Sequence, residues 1–244
     1  MDYARLVDDI VIWLREKLDQ AHASGFVVGL SGGIDSAVVA ALCKQTAGAQ
    51  VLAVWMPCYS IPEDEGFARM AAKAVGVDWV TIDLSPVYDA LLSALPQGSD
   101  MARANLKPRL RMSTLYYMAQ SLGYLVVGTG NRPETMVGFF TKYGDGGVDV
   151  KPIGEFYKHE VRELARVLNI PQPIIERVPT PGLWPGQTDE GEMGITYAEL
   201  DTILAAWEAG KQPDLPADRI AKVESMVTRS AHKRALAPAF PVRR

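Results

Sequence analysis

The sequence predicts an α/β fold: one Rossmann-like (flavodoxin-like), doubly wound domain with a parallel sheet of about five strands and helices on both faces. Short apolar runs rich in β-branched residues alternate along the chain with stretches of helical periodicity, which is typical of a parallel sheet covered on both sides. The chain has 244 residues, of which 48% are hydrophobic. That length favours a single domain over 1–244 with one substantial core.

The first half of the chain predicts three strands. Apolar residues recur at helical spacing from Tyr3 to Leu18, which predicts a first helix. The compact run 26–30 predicts a buried parallel strand, and a helix rich in small residues follows over about 36–44. The runs 51–56 and 79–82 predict the next two strands, with a helix over about 63–74 between them.

The second half predicts one more strand and a long loop. A helical stretch runs over about 101–122 and is followed by an apolar run over 124–129 that predicts a fourth buried strand. The segment 179–194 is rich in Gly and Pro, and a loop of that length inside a compact domain is often a functional lid. The basic tail from about 229 is too short to form a domain.

Composition narrows the function classes. A formal charge of -4 argues against nonspecific binding of nucleic acid. Cys43 and Cys58 form no CxxC pair, which argues against a disulfide framework or a zinc site and predicts reduced thiols. The beginning of the chain lacks the basic-then-apolar pattern of a secretory signal, and no apolar run approaches the roughly 18 residues that span a bilayer. We therefore expect a cytoplasmic protein that does not act at a membrane.

The loop S-G-G-I-D-S, residues 31–36, lies between the first strand and a helix. Its glycines let backbone N–H groups approach an anion, the helix N-terminus adds partial positive charge, and the hydroxyls of Ser31 and Ser36 add donors. It lacks the lysine of G-x-x-x-x-G-K-[ST], which disfavours a kinase-like P-loop. Asp35 would repel a phosphate unless a cation lay between them, which predicts magnesium. Alternatively, the segment is a tight turn in which Asp35 or Ser36 caps the helix.

The loop after the fourth strand, residues 128–134, predicts a partner for this site. If strands four and one are neighbours, both loops lie at the same end of the sheet, where doubly wound folds bind ligands. Glu134 would then share magnesium with Asp35. Alternatively, Gly130 and Asn131 form an ordinary turn, and Glu134 is a solvated residue in the first turn of a helix.

The segment 139–149 combines one lysine, two carboxylates and three glycines, which indicates a loop ordered against an anionic dinucleotide, or alternatively a hairpin-like turn. Lys158, His159 and Arg162 then lie on a predicted helix, where a solvated charged face is the competing interpretation. For His159 we adopt that interpretation.

Four motifs resemble known enzymes. S-G-G-I-D-S resembles the pyrophosphate loop of the ATP-pyrophosphatase superfamily. G-T-G-N-R-P-E, F-F-T-K-Y-G-D-G-G-V-D and P-G-L-W-P-G-Q-T-D-E-G-E-M-G-I-T-Y, with A-H-K-R near the C-terminus, together resemble the NAD synthetase family. Pro133 departs from the family pattern, which more often has Ser or another small residue there, and it should stiffen the approach to Glu134. Nothing resembles the amidohydrolase domain of the glutamine-dependent members.

The resemblance implies a ligase that converts deamido-NAD to NAD with ammonia. ATP would adenylate the nicotinate carboxylate, magnesium pyrophosphate would leave, and ammonia would attack the acyl adenylate to release AMP. The family pattern also implies a homodimer that binds deamido-NAD at its interface. The helix bearing Leu115, Tyr116, Tyr117 and Met118 would supply that contact or pack in the core.

The resemblance also implies a role for individual residues. Asp35, Asp145 and Lys158 are the expected catalytic residues, with Asp145 at the ammonium site. Asp35 and Glu134 are the expected Mg2+ ligands. Expected ATP contacts are Gly29, Leu30, Ser31, Gly32, Gly33, Ile34, Asp35, Ser36, Thr129, Lys158 and Thr180, and expected deamido-NAD contacts are Arg109, Lys142, Asp149, His232 and Lys233.

Two other functions stay open at this stage. One is an enzyme of the same superfamily that modifies tRNA or amidates a purine. The other is a regulatory module that binds ATP without turning it over.

Overall fold

The structure, a computed structural model, describes residues 1–48, 50–184 and 186–241. Strands and helices alternate through the first part of the chain, and helices follow. The strands are β1 Gly25–Gly29, β2 Val51–Trp55, β3 Asp78–Thr81 and β4 Tyr124–Val127. The helices are α1 Tyr3–Ala21, α2 Ile34–Ala47, α3 Pro62–Val75, α4 Ser85–Ala94, α5 Asp100–Ala104, α6 Leu106–Leu122, α7 Arg132–Val137, α8 Lys158–Val167, α9 Gln172–Ile175, α10 Asp189–Met193, α11 Tyr197–Glu208 and α12 Ala217–Arg234.

The strands form one parallel sheet in the order β3-β2-β1-β4, with Phe26 of β1 opposite Val51 and Leu125. This confirms the α/β prediction and the expected pairing of the first and fourth strands. The order is that of the Rossmann form of the doubly wound sheet rather than the flavodoxin form. Four strands are present in the described residues, where about five were expected.

The edge of the sheet beyond β4 shows why no fifth strand forms there in the described residues. A single parallel bridge joins Val127 to Val150 there. The carboxylate of Asp149 accepts the N–H of Val126 at 2.8 Å, so a side chain takes up a donor that a longer strand would have paired.

Helices cover both faces of the sheet. On one face α1 contributes the predicted stripe of buried residues, including Leu14, and packs with α2 and α8 in the main core. The small residues of α2, such as Ala37 and Ala40, are fully buried, which allows a close approach to the strands. On the other face α4 and α6 pack around Val27 and Val126.

Several elements differ from the sequence prediction. The helices α4, α9, α11 and α12 were not predicted. The stretch 101–122 is two helices separated by Asn105, whose side-chain oxygen accepts a hydrogen bond from the Thr141 hydroxyl at 2.7 Å. The loop 179–194 ends in the short helix α10, where the Thr188 side chain accepts the N–H of Gly191. The segment from 229 is also helical as far as Arg234, because α12 continues to that residue.

A second hydrophobic cluster joins α7, α11 and α12. It includes Val137, Tyr197, Leu200 and Val223, all buried. Because α8 also contacts α11, this cluster supports the segment where β4, α7 and α8 approach the loop 31–36. Within the described residues, no helix combines the length and the apolar character that crossing a membrane requires.

Candidate active site

A cleft of about 560 Å³ opens at the carboxyl ends of the strands. Many of the predicted site residues line it: Gly29, Leu30, Ser31, Gly33, Ile34, Asp35, Ser36, Thr129, Glu134, Asp145, Thr180 and Lys233. The cleft also contains residues that sequence analysis did not single out, such as Met112 and Arg177. A cleft at this edge of the sheet is where doubly wound folds bind ligands.

The loop 31–36 is folded by its own hydroxyls. Ser36 Oγ donates to the carbonyl of Gly33 at 2.9 Å and accepts the N–H of Ser31 at 3.2 Å. Gly32 has φ +80°, and a Cβ there would lie 2.7 Å from the backbone N of Ala68, so glycine is required. Gly33 is the N-cap of α2 and no side chain caps it, which leaves the helix N-terminus facing the cleft. Such an N-terminus favours an anion.

Asp35 does not cap α2, contrary to the alternative considered above. Its Oδ2 atom accepts from the Lys158 ammonium at 2.5 Å, and its Oδ1 atom accepts from Asn131 Nδ2 at 3.2 Å. The same ammonium lies 3.6 Å from Glu134 Oε1, and the same amide donates to that oxygen at 2.6 Å. Asp35, Asn131, Glu134 and Lys158 therefore form one cluster, which we call the charged cluster.

Glu134 stands in the first turn of α7, as its alternative interpretation predicted, but it is not solvated. Its side chain is 16% exposed and forms a capping box with Asn131. Lys158 also departs from the solvated-face interpretation, because its side chain is 1% exposed. His159, in contrast, is exposed as expected, with its ring Nδ1 2.7 Å from Asp201.

Burial and mutual charge determine the protonation of the charged cluster. Burial raises the pKa of Glu134 to about 7, against the opposing effect of Lys158. Burial alone would lower the pKa of the Lys158 ammonium, but the carboxylates of Asp35 and Glu134 outweigh it and raise that pKa. Lys158 therefore stays charged at neutral pH, while Glu134 titrates near it.

Sequence analysis missed three residues beside the charged cluster. Tyr197 and Asp201 lie on α11, and Asp189 begins α10; all three are buried. Burial also raises the pKa of Asp189, which lines the cleft. A signal was available, since the third family motif runs through Asp189 and ends on Tyr197, but no chemistry was assigned to either.

The cleft lining also includes Asp145. Its Oδ1 atom accepts the N–H of Thr141 at 2.9 Å, and its side chain is exposed to the cleft. Partial desolvation by the surrounding protein raises its pKa. Nearby, the ammonium groups of Lys151 and Lys233 each lie 5.4 Å from the ring centre of Phe140. Sequence analysis did not identify Lys151 or Phe140.

Of the five predicted deamido-NAD contacts, Lys233 lines the cleft and donates to the carbonyls of Gly138 and Phe140 at 2.8 Å. Arg109, Lys142 and His232 lie outside it but are linked: Arg109 donates to the Lys142 carbonyl at 3.4 Å, and Lys142 Nζ donates to the His232 carbonyl at 2.7 Å. The Asp149 carboxylate accepts the N–H of Val126 in β4 and a hydrogen bond from the Tyr116 hydroxyl at 2.9 Å.

The loop that carries Thr180 lies against two helices. Lys107, buried on α6, donates to the carbonyl of Leu183 at 2.7 Å. Arg177 forms an ion pair with Asp64 of α3, and both side chains are largely buried. These contacts hold the loop along one wall of the cleft, and sequence analysis identified neither cation.

The carboxylates of Asp35 and Glu134 suit an ion shared with substrate phosphates, such as Mg2+, better than a metal ion bound only by protein side chains. In the part of the chain that the structure describes, no group of three or more His, Cys, Asp or Glu side chains is arranged to hold a metal ion. Asp35 and Glu134 instead offer two carboxylates beside a helix N-terminus. Mg2+ is commonly held by one or two carboxylates together with substrate phosphates, so the residues present fit that ion.

Comparison with known proteins gives consistent results. A profile of the NAD synthase family matches residues 6–237. The NH3-dependent NAD+ synthetase of Carboxydothermus hydrogenoformans is 47% identical, over 99% of both chains. Two solved structures are similar: the NMN synthetase of Francisella tularensis has a TM-score of 0.93 at 37% identity over 99% of this chain and 100% of that one. The NH3-dependent NAD synthetase of Campylobacter jejuni has a TM-score of 0.85 at 28% identity, with the same coverage.

Proposed function

The chain belongs to the NAD synthase family, and from this premise we infer that it amidates deamido-NAD to NAD with ammonia and ATP. It is a ligase that forms a carbon–nitrogen bond. The observation that best supports this function is the meeting of the loop 31–36 with the charged cluster at the ends of β1 and β4. That arrangement joins anion-binding backbone groups to a cation and two carboxylates, which are the groups that phosphoryl and nucleotidyl chemistry requires.

The phosphate groups of ATP bind along the loop 31–36. The unoccupied N–H groups at the start of α2 face the cleft and donate to a phosphate, as helix N-termini do in many nucleotide sites. Lys158 supplies the cation, since its ammonium stays charged while buried. Thr129 and Thr180 line the same cleft and donate hydroxyl hydrogen bonds to the nucleotide.

Asp35 and Glu134 would hold Mg2+ between the protein and the phosphates. When bound, the ion neutralises charge on the departing pyrophosphate. The protein's own contribution is to hold the two carboxylates at one place: Asn131 donates to an oxygen of each. Lys158, which pairs with both carboxylates, would supply a charged donor to phosphate oxygens in the same site.

A carboxylate is a poor acyl donor, so the acceptor is adenylated before ammonia attacks. Asp145, which lines the cleft, attracts ammonium and accepts a proton from it as neutral ammonia forms. Desolvation raises the pKa of Asp145, which favours uptake of that proton. Phe140 lines the cleft, and its ring would pack against the nicotinate ring.

The remaining deamido-NAD contacts support a dimer. Arg109, Lys142 and His232 form a linked basic group outside the cleft, where they meet the far half of a dinucleotide that extends beyond it. On α6, Tyr117 is 72% exposed and offers apolar surface to a second subunit. We also propose a cytoplasmic location, where thiols such as the buried, free Cys43 stay reduced.

One observation favours a second candidate acceptor. The structure with a TM-score of 0.93 is an NMN synthetase, a name that describes a mononucleotide product. The second candidate is therefore the amidation of the nicotinate mononucleotide by the same cleft. The two reactions share the ATP site and differ only in the length of the acceptor.

Pyrophosphate release measured with ATP, Mg2+ and ammonium tests both candidates. We expect release to require deamido-NAD and to yield NAD in equal amount. Faster release with nicotinate mononucleotide, at matched concentrations, would favour the second candidate. No pyrophosphate release with either acceptor would contradict the proposed function. The remaining hypotheses would then be tRNA or purine modification, or ATP binding without turnover.

A further inference from the structure

Tyr197, the first residue of α11, lies directly beneath the charged cluster. Its side chain is among the fully buried ones, at 1% exposure. The Lys158 ammonium lies 4.7 Å from the centre of its ring, within cation–π range. The ring therefore packs against the lysine that pairs with Asp35 and Glu134.

The Tyr197 hydroxyl connects two carboxylates. It lies 2.9 Å from Glu134 Oε1 and 2.6 Å from Asp189 Oδ2. Glu134 is also fixed by Asn131, whose side-chain amide reaches Oε1 at 2.6 Å and whose backbone N–H reaches Oε2 at 3.2 Å. The two Asn131 donors and the tyrosine hydroxyl thus determine how this carboxylate faces the cleft, and of these only the tyrosine comes from outside α7 and its cap. The hydroxyl has a single proton, which Glu134 shares with Asp189.

Asp201, one turn further along α11, acts on the backbone that carries Lys158. Its carboxylate accepts the N–H of Lys158 at 3.3 Å and of His159 at 3.2 Å. These amides belong to the first turn of α8, where backbone N–H groups have no partner within the helix. The buried Asp201 carboxylate accepts their hydrogen bonds, and its negative charge interacts favourably with the positive end of the helix dipole. Asp201 therefore fixes where the lysine side chain begins, while Tyr197 encloses its end.

The start of α11 is itself rigid. Thr196 and Glu199 form a capping box there, and Leu200 and Ile203 on the same helix are fully buried. Displacing Tyr197 would require moving the hydrophobic cluster shared by α7, α11 and α12.

We propose that α11 is the positioning element of the active site, with Tyr197 orienting the Glu134 carboxylate and Asp201 orienting Lys158. Neither residue lines the cleft, so Tyr197 acts through the carboxylate of Glu134 and Asp201 acts through the backbone of Lys158. The proposal rests on the proposed function, because it assigns Glu134 to Mg2+ and Lys158 to phosphate. Partners that orient metal-binding carboxylates typically affect metal affinity or activity by about 10- to 100-fold.

Tyr197→Phe tests the first part, because it removes the hydroxyl and keeps the ring beneath Lys158. Tyr157→Phe is a matched control: Tyr157 is also buried, and its hydroxyl has no hydrogen-bond partner within the described residues. The probe is Mg2+ with α,β-methylene-ATP, whose α–β linkage cannot be cleaved, titrated by calorimetry. We expect about 10-fold weaker Mg2+-dependent binding for Tyr197→Phe, a change of less than twofold for Tyr157→Phe, and the same contrast in the Mg2+ dependence of NAD formation.

Asp201→Asn tests the second part independently and serves if Tyr197→Phe does not fold. Asparagine keeps one acceptor oxygen and loses the charge, so we expect a several-fold higher KM for ATP, with an unchanged KM for deamido-NAD. Mg2+ affinity and KM values equal to those of the wild type in both variants, or equal losses in Tyr157→Phe and Tyr197→Phe, would overturn the proposal. An inactive wild-type protein would instead contradict the proposed function.

Discussion

Replacing Lys158 with Met tests the charged cluster most sharply. The ammonium is buried, 2.5 Å from Asp35 and 3.6 Å from Glu134. Methionine fills a similar volume but leaves two largely buried carboxylates without their cation. Each then loses the attraction that offsets its own desolvation.

The magnitude follows from the distances. With an effective dielectric constant of about 20, the gross attractions are about 7 kcal/mol to Asp35 and about 5 kcal/mol to Glu134. These gross attractions are upper bounds, because desolvation of the lysine offsets much of them. Removing one partner of a buried ion pair typically costs roughly 3–5 kcal/mol, and we expect a loss of that size. For a domain of this size that corresponds to a Tm lower by roughly 6–20 °C.

The loss should depend on pH in a defined direction. Glu134 already has a pKa raised to about 7, above its ordinary 4.5, and removing the cation raises it further. A raised carboxyl pKa gives stability that is present below about 4.5 and is lost as pH rises through the folded-state value. The variant should therefore lose more stability relative to the wild type at pH 8 than at pH 5.

Urea unfolding of Lys158→Met at pH 5 and pH 8 measures this, with Lys211→Met as the control because Lys211 is exposed. We expect a large, pH-dependent loss for the first and less than about 0.5 kcal/mol for the second. A loss under 1 kcal/mol, or one equal at both pH values, would refute the reasoning about the charged cluster.

Three further predictions concern the backbone, the metal and the amine. Gly138→Ala should lower the free energy of unfolding by about 2–4 kcal/mol, because φ is +72° and a Cβ would lie 2.1 Å from Ser230 Cβ. The control is Gly123→Ala, which has φ +69° but open space around it and should lose only about 1 kcal/mol. Equal losses for the two variants in urea unfolding would contradict this prediction. Apparent Mg2+ affinity, titrated from pH 6 to pH 8, should rise with pH as the Glu134 proton is lost, and a flat profile would argue against Glu134 as a ligand. Asp145→Asn should raise the KM for ammonium and lower kcat in steady-state assays, whereas unchanged values would remove Asp145 from the ammonium site.

The sheet was predictable because buried parallel strands leave a local signal. The runs around Phe26, Val51 and Leu125 are short, apolar and β-branched, and they pair in the structure. The helix α4 left a weaker signal, since Tyr88 alone is buried on it. The stretch 101–122 divides at Asn105, and Pro108 gives a local reason, because it has no N–H to donate to the carbonyl of Ala104.

The candidate site was predictable where residues follow strands. Asp35 and Glu134 were expected to approach each other because β1 and β4 were expected to be neighbours, and Asn131 indeed bridges them. Tyr197 and Asp201 could not be assigned a role in this way. They lie on a helix late in the chain, and helical periodicity shows only that such a tyrosine or aspartate is buried, not what it does in the site.

The fate of the acceptor carboxylate oxygen tests the central claim most directly. Deamido-NAD labelled with 18O in its nicotinate carboxylate should transfer one 18O atom to AMP, detected by mass spectrometry, while pyrophosphate stays unlabelled. Label in AMP that depends on ammonium, together with unlabelled pyrophosphate and NAD as product, is the predicted result. Unlabelled AMP, or ADP with labelled phosphate, would contradict activation of the carboxylate by adenylation.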